Sequence, residues 1–242
     1  MPEFTIVVVD HSQDTGPRRY DPDEIEPRWQ QRWLNDGSYE IDNDNSREAR
    51  CVQSTYGADA LRLATMRAKS RAEAVDCKHF QLVGCERFLN RLWRLAATDD
   101  AAIERHVNIV RRGESREADR AIETATHLLI DRSTGDHRHS ASNTAVAAFM
   151  EFTNTLYRYV KSNEGSHGPT LAFAVDTLLQ LMAPVAPHIT AELWSIRHDG
   201  EHIHAKPWPS ADPAKLIAWP VTMVIQVDGK VRDRVDVPGG IS

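Results

Sequence analysis

Arg87, Arg91 and Arg94 recur at i, i+4 and i+7 within RFLNRLWRL, a spacing that puts them along one side of a helix. The guanidinium is a planar fork of donors that grips phosphate in a bidentate manner. Such a row is either the solvated face of a core helix or an edge for phosphate contacts. GKVRDR sets Lys230, Arg232 and Arg234 at alternate positions of a strand, which would share one face. This too is either an exposed sheet face or a basic ribbon for nucleic acid. Arg62, in ADALRL, is a further candidate, with Asp59 or another acid as the competing partner. His188 and Glu192 stand one helical turn apart. They could act as a general base and its orienting acid, or His188 could make a packing contact at a helix start. Cys51, Cys77 and Cys85 could take an acyl group as a thioester. No neighbouring residue marks any of them as a thiolate, so small structural cysteines are the default. His202 and His204 in HIH supply two metal ligands, too few for a site. No Gly-rich phosphate loop occurs, and neither metal nor cofactor is expected.

The balance of the chain constrains these options. Its 242 residues carry 29 basic and 35 acidic side chains, a net charge of -6. That argues against polyanion binding by the whole surface and leaves room for a local basic face. With 41% hydrophobic and 26% charged residues, the composition is that of a soluble globular protein. No apolar run approaches the roughly 18 residues of a membrane span. The start, MPEFTIVVVDHSQD, lacks a basic n-region and a small-residue cleavage site, so no signal peptide is expected. Three cysteines without metal-ligand spacing fit a reducing cytoplasm.

The elements that must position these residues are mostly helical. A short strand is expected at Phe4–Asp10, then a helix in YDPDEIEPRWQQRWLNDGSYEI. Asp21 serves as N-cap, Pro22 as N1, Glu24 as the far side of a capping box and Gly37 as the stop. Ile25, Trp29 and Trp33 lie four apart on one face, while Pro27 predicts a kink or a start delayed to Glu26. Residues 42–55 read as a linker. Further helices are expected at about 57–71, 79–97, 115–132, 142–162 and 169–196, the last broken by Pro184 and Pro187. Trp93, Trp194 and Trp208 are expected in the core. The end changes period: VTMVIQV and VRDRVDV alternate around Asp228-Gly229, a strong hairpin signal. The expected fold is therefore mainly α, a helical bundle with a small C-terminal β hairpin and a short N-terminal strand and helix. Its divisions fall at 1–55, 56–210 and 211–242.

Taken in order, several phrases are more specific than any one alone. YGADALRL (56–63), RFLNRLWRL (87–95), NTAVAAFMEFTNTLY (143–157), LMAPVAPHITAELW (181–194), HAKPWP (204–209) and VIQVDGKVRDRVDVP (224–238) resemble, in sequence order, the C-terminal third of leucyl-tRNA synthetases. Residues 20–41 resemble that family's N-terminal helix. The resemblance implies the tRNA-binding ("anticodon-binding") bundle of class Ia synthetases, followed by the first hairpin of the leucyl enzyme's C-terminal domain. It also implies tRNA, as leucyl-tRNA(Leu), as partner, with Arg62, Arg87, Arg91, Arg94, Lys230 and Arg232 as phosphate contacts. The departures matter as much. The family's His-x-Gly-His and Lys-Met-Ser-Lys-Ser signatures do not occur, and NDNSREARCVQST (43–55) stands where the second belongs. The editing domain is not represented either. The 242 residues are therefore not expected to activate leucine alone. The reading that follows is a leucyl transferase, moving leucine from leucyl-tRNA to the amine of a small metabolite, as synthetase relatives do in the making of blasticidin S-like peptidyl-nucleoside antibiotics. The alternatives are a non-catalytic tRNA-binding or delivery module and a fragment that works with a separate catalytic subunit. A homodimer is one way to complete the site around the aminoacyl end.

Overall fold

The structure is a computed structural model that describes residues 20–36, 56–67, 79–97, 110–111, 114–139, 141–162, 165–217, 220–227 and 230–238. The strand expected at Phe4–Asp10, the linker at 42–55, Cys51 and Cys77 lie outside the described residues.

Eight α-helices and two small β ladders are described, and the bundle is helical as expected. α1 spans Pro22–Asn35, α2 Ala58–Arg67, α3 His79–Ala96, α4 Glu117–Arg138, α5 Ser142–Val160, α6 Gly168–Met182, α7 Pro187–Arg197 and α8 Pro213–Ile217. A 3-10 turn at Ile203–Ala205 follows α7. α1 begins where its cap residues place it: the Asp21 side chain accepts from the Asp23 amide, and Pro22 stands at N1. Pro27 neither delays nor ends it. The residue is exposed, so the Asp23 carbonyl that loses its helical partner stays hydrated. The two prolines of LMAPVAPHITAELW divide one expected helix into α6 and α7, with Pro187 opening the second. α4 runs six residues past its expected end at 132. Gly135 lowers helix propensity there, but Trp208 hydrogen-bonds Thr134 at 2.9 Å and stacks on His137. The last turns thus gain a tertiary partner.

The core is continuous. Trp93, Phe149, Leu178 and Ile189 are each at most 2% exposed, and Tyr20, Ile25, Trp29 and Trp33 from the N-terminal helix join the same cluster. The spacing of Ile25, Trp29 and Trp33 predicted this for α1. Trp93 and Trp194 are buried, but Trp208 is 38% exposed and is a surface residue, because the loop carrying it lies across the end of α4 rather than beneath it. Cys85 is a fully buried thiol, the structural role expected of it. No described helix is long and apolar enough to cross a membrane.

Two pairings complete the described structure. β1 (Val110–Arg111) and β2 (Ser166–His167) form a short parallel bridge with no signal in the sequence. β3 (Pro220–Val227) and β4 (Lys230–Pro238) form the expected antiparallel hairpin, joined between Val227 and Lys230. The register slips at one point. Gln226 faces Val231 and Ile225 faces Asp233, leaving Arg232 as the extra residue of a bulge. A bulge breaks period-2 alternation. Lys230 pairs with Val227 and Arg234 with Val224, so positions 230 and 234 fall on opposite faces. The single basic face expected for Lys230, Arg232 and Arg234 is corrected accordingly.

Gly57 is where α1 meets the start of α2. Its φ is +84°, and a Cβ there would lie 2.6 Å from Pro22 Cβ and 2.7 Å from Glu26 Oε1. Backbone strain and steric conflict therefore coincide. Gly57→Ala is expected to cost about 2–4 kcal/mol, a Tm drop of roughly 4–16 °C. Thermal unfolding followed by circular dichroism measures this, and a Tm within about 1 °C of the parent would refute the close approach.

Candidate functional site

Two groups of polar residues stand out, one buried and one on the surface. The buried group links three helices. Glu26 on α1 accepts from the backbone N–H of Ala58 at 2.8 Å and of Asp59 at 3.3 Å, so it caps α2. Asp59 on α2 accepts from the N–H of Ile189 at 2.8 Å and of His188 at 3.4 Å, so it caps α7. Each carboxylate fills the role that an N-cap side chain normally fills from within its own helix, and each meets the positive end of a helix dipole. His188 Nδ1 meets Asp59 Oδ1 at 2.8 Å, and the Tyr20 hydroxyl donates to Glu26 at 3.2 Å. All four side chains are buried, Asp59 completely.

Of the two readings of His188, this arrangement is the contact at a helix start and not a base oriented by Glu192. His188 turns to Asp59, whose carboxylate already sits on the first amides of α7. Glu192 accepts instead from Trp29 Nε1 at 2.8 Å and pairs with Arg28 at 2.6 Å. Ligand atoms of Glu26, Asp59 and His188 lie within 4.8 Å of one another, close enough for a metal. Every one of the four carboxylate oxygens already accepts an N–H or O–H, so the cluster is complete as hydrogen-bonded caps. For Arg62 the competing partner is not an acid. Arg62 does not pair with Asp59; its guanidinium donates to the carbonyls of Val185 at 3.2 Å and Pro184 at 2.8 Å, fixing the break between α6 and α7.

The surface group lies along α3 and the end of α5. Arg87 and Arg94 are exposed. Arg91 is half-buried, its guanidinium 4.8 Å from the centroid of the Tyr157 ring. Lys161 lies 5.8 Å from the same ring, and the Tyr157 hydroxyl donates to the Arg91 carbonyl at 2.8 Å. Two cations therefore flank one aromatic ring, a geometry that orders long basic side chains without neutralising them. Neither Tyr157, the last residue of NTAVAAFMEFTNTLY, nor Lys161 is among the phosphate contacts expected from the sequence. Their signal was present in YRYVK, a basic helix end one turn past an aromatic. Arg232, in the hairpin bulge, is exposed; the Lys230 side chain lies outside the described ones.

The buried group also titrates. Burial opposes the His188 imidazolium, but the hydrogen bond and charge of Asp59, with Glu26, outweigh it and hold the pKa above the ordinary 6.5. Burial raises the Glu26 carboxyl above its ordinary 4.5, against the Ala58 amide and His188 and with Asp59. Burial lowers His204, helped by His188 and His202. A raised histidine stabilises the fold fully below 6.5 and loses that contribution as pH rises through its folded value. Glu26, also raised, changes stability in the same sense from 4.5 upward. His204, depressed, acts oppositely and only as pH falls below 6.5. Above 6.5 the stability should therefore decline with pH. His188→Gln should lower Tm at pH 6.5 by roughly 4–8 °C, about 2 kcal/mol, and flatten the decline. A Tm-versus-pH series checks both, and an unchanged slope in the variant would refute His188 as its source.

Comparison with known proteins places this geometry. The anticodon-binding domain of tRNA ligases matches residues 119–241. A leucine–tRNA ligase of Lawsonia intracellularis is 35% identical over 202 residues, covering 77% of this chain and 23% of the relative. One from Symbiobacterium thermophilum is 32% identical over 216 residues, covering 77% and 25%. The chain thus spans about a quarter of the length of the curated relatives it matches. Among solved structures, a LeuRS–tRNA–LeuAMS ternary complex from Agrobacterium radiobacter matches with a TM-score of 0.64 and 25% identity, over 83% of this chain and 27% of that one. With a helical bundle, a matching domain over half its length and these relatives, the chain belongs to the anticodon-binding domain family of tRNA ligases, in its leucyl-tRNA synthetase branch.

Proposed function

We propose that this chain binds tRNA through the basic face of α3 and the end of α5. The observation that carries the reading is the row Arg87, Arg91 and Arg94, with Arg91 and Lys161 held beside Tyr157 on a chain whose net charge is -6. A local cationic edge on an acidic protein selects where a polyanion docks, and Arg supplies the bidentate donors that phosphate takes. Arg232 extends the set, and Arg62 contributes by fixing the α6–α7 junction. The resemblance to leucyl enzymes supports tRNA(Leu), in its charged form, as the ligand.

The finer reading is leucyl transfer. In leucyl-tRNA the amino acid is joined to the terminal ribose by an ester, which is already activated. An amine nitrogen of a small metabolite attacks the ester carbonyl, the carbon–oxygen bond to the ribose breaks, and an amide forms. The proton lost by the amine goes to the ribose oxygen. No ATP is consumed, and holding the two reactants together supplies about 7–11 kcal/mol of barrier reduction in favourable cases. His188 is committed to Asp59 and is not the base of this reaction. The support for transfer is the family membership.

Two measurements follow. Replacing Arg87, Arg91 and Arg94 by Ala should weaken tRNA binding at least about tenfold and reduce the slope of log K against log salt by about 2–3; an unchanged slope would remove this face from the reading. Leucyl-tRNA incubated with the protein and a panel of small-molecule amines should give leucylated products by mass spectrometry. Equal binding of charged and uncharged tRNA with no leucylated amine would leave a tRNA-binding or delivery module.

A further inference from the structure

A surface cavity of about 200 Å³ lies where the end of α6 meets the loop after the 3-10 turn. Gln180, Pro184, His204, Lys206, Trp208 and Pro209 line it. We propose that this cavity receives one unstacked nucleobase of the bound RNA, an assignment that rests on the tRNA-binding reading.

Size comes first. Pockets for drug-sized ligands run roughly 300–1,000 Å³, so this one has room for a single ring system. Its chemistry selects the kind of ring. Trp208 is a 38% exposed indole whose Nε1 donates to Thr134 and whose ring stacks on His137 at 5.6 Å. The indole is thus held in place while part of it faces solvent, as a stacking platform requires. The side-chain amide of Gln180 has no hydrogen-bond partner among the described residues. It offers a donor and an acceptor on one rigid plane, the pattern that pairs with a base edge. His204 is kept neutral near pH 7 by burial and by the neighbouring His188 and His202, so an uncharged ring meets no buried cation. Lys206 stands exposed at the rim, paired with Glu201 at 2.6 Å. An exposed pair of this kind exchanges readily, so the ammonium can turn to a phosphate flanking the base. Aromatic wall, open amide and rim cation together fit a nucleotide better than an amino acid or a lipid chain.

Stacking and edge contacts carry no net charge, which separates them from the arginine face. tRNA binding is measured across a salt series for the parent, Trp208→Ala, Trp208→Phe and Gln180→Ala. Trp208→Ala should weaken binding about fivefold or more with an unchanged salt slope, and Trp208→Phe should restore most of the loss. Gln180→Ala, at a half-buried helix position without polar partners, should weaken binding about fivefold while leaving the circular dichroism spectrum and Tm unchanged. Parent-like affinity in both Trp208→Ala and Gln180→Ala, with the salt-dependent binding of the parent intact, overturns the nucleobase site and leaves the tRNA reading standing. A parent that binds no tRNA overturns both. Free nucleosides titrated against the parent form the last arm: saturable quenching of tryptophan fluorescence that tRNA does not compete away assigns the cavity to a free nucleoside and overturns the RNA source.

Discussion

The carboxylate of Asp59 is the interaction on which the rest depends. It is completely buried, and a buried charge persists only where hydrogen bonds and opposite charge replace water. Asp59 obtains both from α7: two backbone amides and the His188 ring. Its own helix is capped in turn by Glu26 of α1. Helix α1 therefore organises α2, and α2 organises α7, each through one side chain set on the amides of the next. Breaking a buried pair of this type typically costs about 3–5 kcal/mol, against a total stability of about 5–15 kcal/mol for a domain. That share explains why three helices distant in sequence take up one arrangement.

The surface face inherits its order from this frame. α3 packs on both α2 and α7, so the caps that set those helices also set the direction of Arg87, Arg91 and Arg94. The Tyr157 hydroxyl, bonded to the Arg91 carbonyl, ties α5 to the same row. A set of long flexible cations then loses less freedom on binding phosphate than it would on an unsupported helix. The acidic total and the basic edge are compatible for the same reason: the field a ligand meets is local, and screening removes distant charge over about 10 Å.

Much of the frame was legible in the chain. Ile25, Trp29 and Trp33 repeat at helical spacing and are buried. Pro184 and Pro187 end one helix and start the next. Asp228-Gly229 stands between two alternating strands that do pair. Each of these signals is local, so the sequence carries it without reference to the rest. The misses were of another kind. The bulge at Arg232 depends on the partner strand's register, and the exposure of Trp208 depends on how its loop crosses α4. The partners of His188 and Arg62 lie more than 100 residues away along the chain, a separation at which periodicity says nothing.

The sequence by itself determined the helical bundle, its breaks, the terminal hairpin, the spacing of the three arginines and, through its ordered motifs, the family to which the chain belongs. These follow from backbone propensity, proline and glycine stereochemistry and period, which act over a few residues. Only the tertiary structure decided which polar groups serve the fold and which face outward. It turned His188, Glu192 and Arg62 into structural contacts and left Arg87 and Arg94 exposed, with Arg91 and Lys161 gathered around Tyr157. A buried polar group must take the nearest partner that replaces water, and that partner is set by packing rather than by position along the chain.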